Sequence, residues 1–97
     1  MLLGGVNERG AKLASVEHYS SDSGEWEYTQ SMQVARAYLC TAALGNHVYA
    51  IGGYGSQSQT LSTVERFSGT GPWEYIASMS FERNWCAAAT LHGKLYV

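Results

Sequence analysis

The chain has 97 residues, 45% of them hydrophobic and 14% charged, a composition ordinary for a folded globular chain and unlike that of a disordered segment. Its formal net charge is −2 and its six lysines and arginines are scattered, so no basic stripe exists to neutralise a phosphate backbone and nucleic acid is not an expected partner. No apolar run approaches the roughly 20 residues that cross a bilayer, and Met1-Leu2-Leu3 is interrupted at once by diglycine, too early for a signal-peptide core. No membrane partner is therefore expected, and the expected compartment is cytoplasmic.

Eleven glycines against one proline, with three tryptophans and seven tyrosines, favour short aromatic-rich strands joined by glycine turns. Residues 1 to 5 read as the tail of a strand whose beginning is missing. Val6 to Ala14 is a polar loop, and Ala14 to Tyr19 alternates like a half-buried strand. Ser20 to Gly24 has turn composition, and Trp26 to Gln30 reads as another short strand. Residues 31 to 44 are ambiguous by periodicity: Met32, Ala35, Leu39, Ala42 and Ala43 also suit a helical face with Ser31 as N-cap and Gly45 as C-cap.

An internal repeat breaks that tie. Gly4-Gly5 returns as Gly52-Gly53, Glu17 as Glu65, Tyr19 as Phe67, Trp26 as Trp73, Met32 as Met79, Arg36 as Arg83, Leu44 as Leu91 and Tyr49 as Tyr96, all at an offset of 47 or 48 residues. The one residue of slack lies between the aromatic and the tryptophan. Helix-pair repeats of the tetratricopeptide or ankyrin kind lack these features, and their own signatures are absent, so the repeat is a strand repeat. Ala37 to Leu44 is then a strand, Gly45-Asn46 a two-residue turn in which both residues tolerate positive φ, and His47 to Ile51 the returning strand. Tyr54 to Thr60 is a polar loop matching the first. Ser62 to Phe67 and Pro72 to Ile76 repeat the two outer strands, and Trp85 to Leu91, His92-Gly93 and Lys94 to Val97 begin a further hairpin.

The expected fold is all-β: one complete four-stranded antiparallel blade of about residues 37 to 76 between two partial ones, with repeat boundaries near 1–32, 33–79 and 80–97. The chain is expected to start inside one repeat and end inside another. Two uncovered faces and unpaired edges should make it marginal or self-associating in isolation. Cys40 lies four residues after Arg36 and Cys86 three after Arg83, which in a strand of period two sets them on opposite faces, so two buried free thiols are expected rather than a disulfide.

The ordered set Arg36, then Leu44 through Gly53, then Thr63-Val64-Glu65-Arg66-Phe67, Trp73, Ser78-Met79 and Arg83 resembles the kelch repeat, and most closely the kelch-like adaptors that carry a BTB domain. The resemblance covers essentially the whole chain. Tyr54-Gly55-Ser56 and Val6-Asn7-Glu8 stand where that family often has aspartate-glycine, and Ser68-Gly69 where it has aspartate-proline, departures that touch turns and not fold class. The resemblance implies part of a β-propeller, a cytoplasmic repeat protein that binds other proteins. Its parent would be a substrate adaptor of a cullin-3 ubiquitin ligase, with the ligase-binding domains elsewhere; actin binding is the alternative.

By position, the resemblance places the partner-binding rim at Val6, Asn7, Glu8 and Arg9 in the first copy and at Tyr54, Gln57 and Gln59 in the second. Arg36, Ala37, Arg83 and Asn84 join it at the arginine positions. Gly4, Gly5, Glu17, Tyr19, Trp26, Gly52, Gly53, Glu65, Phe67 and Trp73 carry the structural motif. Physical chemistry assigns the tryptophans to contacts between blades and pairs the buried carboxylates with the arginines, since a lone buried charge is costly.

No catalytic constellation is found. His18, His47 and His92 fall at three different repeat positions, there is neither a Cys-x-x-Cys pair nor histidines at metal spacing, and no Gly-x-Ser-x-Gly elbow. Some kelch propellers are copper oxidases, but nothing gathers Tyr, His and Cys here. No cofactor, metal or enzyme activity is expected. The diglycines are read as strand ends, since no helix follows to hold a phosphate.

Overall fold

The computed structural model describes residues 2–83 and 87–97, and every regular element among them is a β-strand. In chain order the strands are β1 Leu2–Leu3, β2 Val16–Ser20, β3 Glu25–Tyr28, β4 Cys40–Leu44, β5 His47–Ile51, β6 Val64–Phe67, β7 Glu74–Tyr75, β8 Ala89–Leu91 and β9 Lys94–Tyr96. They form three antiparallel sheets, β1-β2-β3, β4-β5-β6-β7 and β8-β9. The four-stranded blade and its two partial neighbours are those the repeat predicts, and residues 31–44 contain no helix.

The two copies share one register. Leu2 faces Glu17 and Leu3 faces Val16, as Ala50 faces Glu65 and Ile51 faces Val64. Tyr28 lies opposite Glu17, as Tyr75 lies opposite Glu65. The residue by which the second copy is shorter is absorbed in the turn before the last strand, so the strands themselves stay aligned. Gly4 and Gly52 have φ of 62° and 61°, and each is crowded in the same way. A Cβ at Gly52 would lie 2.5 Å from the Arg83 carbonyl oxygen and 3.2 Å from that of Leu61; at Gly4 it would meet those of Arg36 and Leu13. A side chain is barred here both by backbone conformation and by space.

Alternation along each strand divides the interior into two cores. Ala50, Phe67 and Trp73 face the first sheet and pack with its Val16 and with Met32, in the segment after β3. Cys40, Tyr49, Ile51 and Val64 face the other way and take Ala88 and Leu95 of the last hairpin against them. In the inner strand β4 Cys40 is buried, but Thr41 and Ala43 are exposed. Those two side chains lie on the face toward the first sheet, which begins at the position of β5 and sets no strand opposite β4.

Several boundaries are tighter than the sequence predicts. β4 starts at Cys40 and not Ala37, because Tyr38 takes φ of 54° and breaks the extended run. β7 is only Glu74–Tyr75, since Pro72 has no N–H to give a ladder. Of the expected strand 85 to 91, residues 84–86 lie outside those described, and β8 is Ala89–Leu91. In the Gly45-Asn46 turn only Gly45 has positive φ, at 61°, as in a type II′ hairpin, whereas His92 and Gly93 both do, at 50° and 73°, as in type I′. Cys40 is disulfide-bonded, which corrects the expectation of a free thiol there. The period-two argument behind that expectation assumed an unbroken strand from Arg36 to Cys40, and Tyr38 interrupts it. Cys86 lies outside the described residues.

Candidate partner-binding rim

The loops after the two diglycines lie at one end of the blades, and each is closed by its own hydrogen bonds. In the first, Val6 bridges Lys12, and the Asn7 side-chain oxygen accepts from the amides of Arg9 at 2.9 Å and Ala11 at 3.0 Å. In the second, Tyr54 bridges Thr60, Gly55 donates to the Gln59 carbonyl at 2.8 Å, and the Gln59 side-chain oxygen accepts from the Gln57 amide at 3.0 Å. Asn7 and Gln59 thus hold their loops in shape with the oxygen a recognition role would use. Val6, Glu8, Arg9 and Gln57 are exposed and Tyr54 is half-buried.

The loops meet across the blade boundary. Lys12 Nζ stands 5.2 Å from the centroid of the Tyr54 ring, a cation–π contact that fixes the one against the other. Ala37 and Tyr54 exchange backbone hydrogen bonds of 3.0 and 2.7 Å, tying the loop to the segment that enters β4.

That tie places the arginine positions. Ala37 and Arg36 are fully buried, so neither offers a side chain to a partner and both leave the accessible rim. Arg36 joins two blades. Its amide donates to the Leu13 carbonyl and its carbonyl accepts from Gly5, both in the first repeat, while its side chain turns into the second. There Nε and Nη2 reach one Glu65 oxygen at 3.2 and 3.0 Å, and Nη1 donates to the carbonyls of Gly52 and Thr63 at 2.9 and 2.8 Å. Glu65 also accepts from the amides of Gln33 and Val34. Both charges are wholly buried and multiply satisfied, the condition under which such a pair is tolerated inside a protein.

Arg83 repeats the backbone half of this arrangement, donating to Leu61 at 3.0 Å and accepting from Gly53 at 2.7 Å, yet it is exposed. Among the described residues its guanidinium makes no ion pair, and neither does Glu17. Asn84 lies outside the described residues. Sequence reasoning missed Lys12 and Tyr38. Tyr38 is 46% exposed beside the rim in a left-handed conformation uncommon for an aromatic residue. An aromatic directly after Arg36-Ala37, and a lysine where the second loop has threonine, were the available signals.

One diglycine and one tryptophan recur in each period on a shared strand register, and the second period adds a buried arginine–glutamate pair. Residues 35–80 match the Kelch motif. An F-box/kelch-repeat protein of Arabidopsis thaliana is 38% identical over 55 residues, 57% of this chain, and the chain spans only 12% of the length of that relative. A kelch repeat is usually a protein-interaction module. Among the described residues no group of three or more His, Cys, Asp or Glu could hold a metal ion.

Proposed function

We propose that this chain supplies part of the partner-binding rim of a kelch propeller, and that the parent protein uses it to choose a substrate for a ubiquitin ligase. One observation carries the reading: the two rim loops share a backbone frame but present different side chains, charged Glu8, Arg9 and Lys12 on one and Tyr54 with neutral Ser and Gln on the other. Loops on a rigid scaffold are where binding concentrates, and Tyr and Arg are frequent hot spots. The ligase assignment rests on the resemblance to kelch-like adaptors of cullin-3. It places ubiquitin transfer on other domains of the parent.

The test uses the full-length protein that carries these residues. Its partner is captured by pull-down, and binding is compared for Arg9→Ala, Tyr54→Ala and, as a control on exposed β3, Glu27→Ala. Losses above about 1 kcal/mol at the two loop positions alone support the rim. Equal losses at all three, or a loss at Glu27 only, place the site elsewhere.

A further inference from the structure

The two rim loops are closed by the same backbone bonds, and the repeat offset sets Ser56 where the first loop has Glu8. Asn7 donates to the Ala11 carbonyl at 2.9 Å as Gly55 does to that of Gln59 at 2.8 Å, and Gly10 donates to Asn7 at 2.9 Å as Ser58 does to Gly55 at 3.1 Å. Glu8 is exposed, so this frame already carries a negative charge at that position and still closes. The second loop has none: no Asp or Glu lies between Ile51 and Val64, and the charge that reaches it is the Lys12 ammonium over the Tyr54 ring at 5.2 Å.

Ser56 and Ser58 are both exposed, and each is followed by glutamine, the pair that one class of serine/threonine kinases reads through the side-chain amide directly after its target. The two serines differ in availability. Gln59 is bound into the loop, its side-chain oxygen accepting from the Gln57 amide, and Ser58 is held at φ of 59° where the first loop has Gly10 at 80°. The Ser56 hydroxyl and the Gln57 side chain are exposed and make no hydrogen bond among the described residues. Presenting Ser56 and Gln57 to an active site therefore breaks no side-chain contact of either residue, whereas presenting Ser58 and Gln59 breaks one.

We infer that Ser56 is the target of a protein kinase directed to Ser-Gln, and that its phosphorylation turns the neutral second loop into an acidic counterpart of the first. The serine oxygen attacks the γ-phosphorus of ATP, the bond to the β-phosphate oxygen breaks, ADP leaves, and the hydroxyl proton passes to the kinase. The phosphoserine carries a charge of about −1.5 to −2 at neutral pH, more than Glu8 supplies at its position. The consequence for binding rests on the rim reading above. A partner fitted to the neutral loop is released, because a dianion two residues from Tyr54 must be paired or desolvated before that partner can seat.

The experiment incubates the full-length protein that carries these residues with ATP and a purified kinase of that specificity, and locates phosphate by tandem mass spectrometry. A short synthetic Ser-Gln peptide is the positive control for the kinase. Phosphate should appear on Ser56, vanish from this loop in Ser56→Ala and persist in Ser58→Ala. Phosphorylation should weaken binding of the pulled-down partner by about fivefold or more, and Ser56→Glu should weaken it in the same direction, with far-UV circular dichroism unchanged. An unmodified Ser56 beside a modified control peptide overturns the inference, as does phosphate on Ser58 in its place. Phosphorylated protein that binds as before, while Tyr54→Ala weakens binding, overturns the switch. If Tyr54→Ala and Arg9→Ala also leave binding unchanged, the rim reading fails, and phosphate on Ser56 still upholds the modification.

Discussion

Trp73 and Trp26 occupy the same place in successive repeats and differ in nearly every property. Each follows an aromatic across the strand pair: Phe67 stacks on Trp73 with centroids 5.2 Å apart and planes 15° apart, and Tyr19 meets Trp26 at 5.6 Å and 60°. Trp73 is 1% exposed and its indole N–H donates to the Gln30 carbonyl of the preceding repeat at 2.8 Å; Trp26 is 50% exposed. The local sequence makes the aromatic pair, and the neighbouring sheet makes it a core. Glu65 and Glu17 teach the same lesson with charge. In both cases a motif residue gains its energetic role from the blade before it, which is why repeats of this kind stabilise one another in series.

The largest effect expected from this contrast is at the tryptophans. Trp73→Ala removes a fully buried ring and its indole hydrogen bond and should cost about 3–5 kcal/mol, whereas Trp26→Ala, half in solvent, should cost under about 1 kcal/mol. Urea unfolding at dilution low enough to keep chains apart measures both, and similar losses at the two sites would break the comparison.

A smaller contrast lies at glycines of equal φ. Gly52→Ala drives a methyl to 2.5 Å from the Arg83 carbonyl oxygen, while Gly45→Ala meets open space at the same φ of 61°. The second should cost about 1–2 kcal/mol from the left-handed backbone alone, and the first distinctly more. Melting temperatures of the two variants give the order, and a Gly45 variant as damaging as the Gly52 one would show that backbone strain, not close approach, governs these turns.

The strand order and the register were legible in the sequence because a repeat reports pairing twice: Trp26 and Trp73 could only stand alike if the turn before each absorbed the missing residue. The ends of strands were not, because Tyr38 at φ of 54° and Pro72 act on one or two residues that no period records. The two loops after the diglycines, Val6 to Arg9 and the one opening at Tyr54, were legible as places, but the side chains they expose were not. Whether Arg36 points outward or inward depends on a carboxylate 29 residues away, and the Lys12 contact with Tyr54 crosses a blade boundary. Side-chain direction at such positions is a tertiary property.

The central claim is that Arg36 and Glu65 act as a single weld between blades while Arg83 and Glu17 act independently. A double-mutant cycle on chain stability in dilute solution tests it directly. For Arg36→Ala and Glu65→Ala the double variant should be less damaged than the sum of the singles, with a coupling of about 1–3 kcal/mol, and for Arg83→Ala and Glu17→Ala the losses should simply add. Additivity at the first pair, or coupling of that size at the second, would contradict the account.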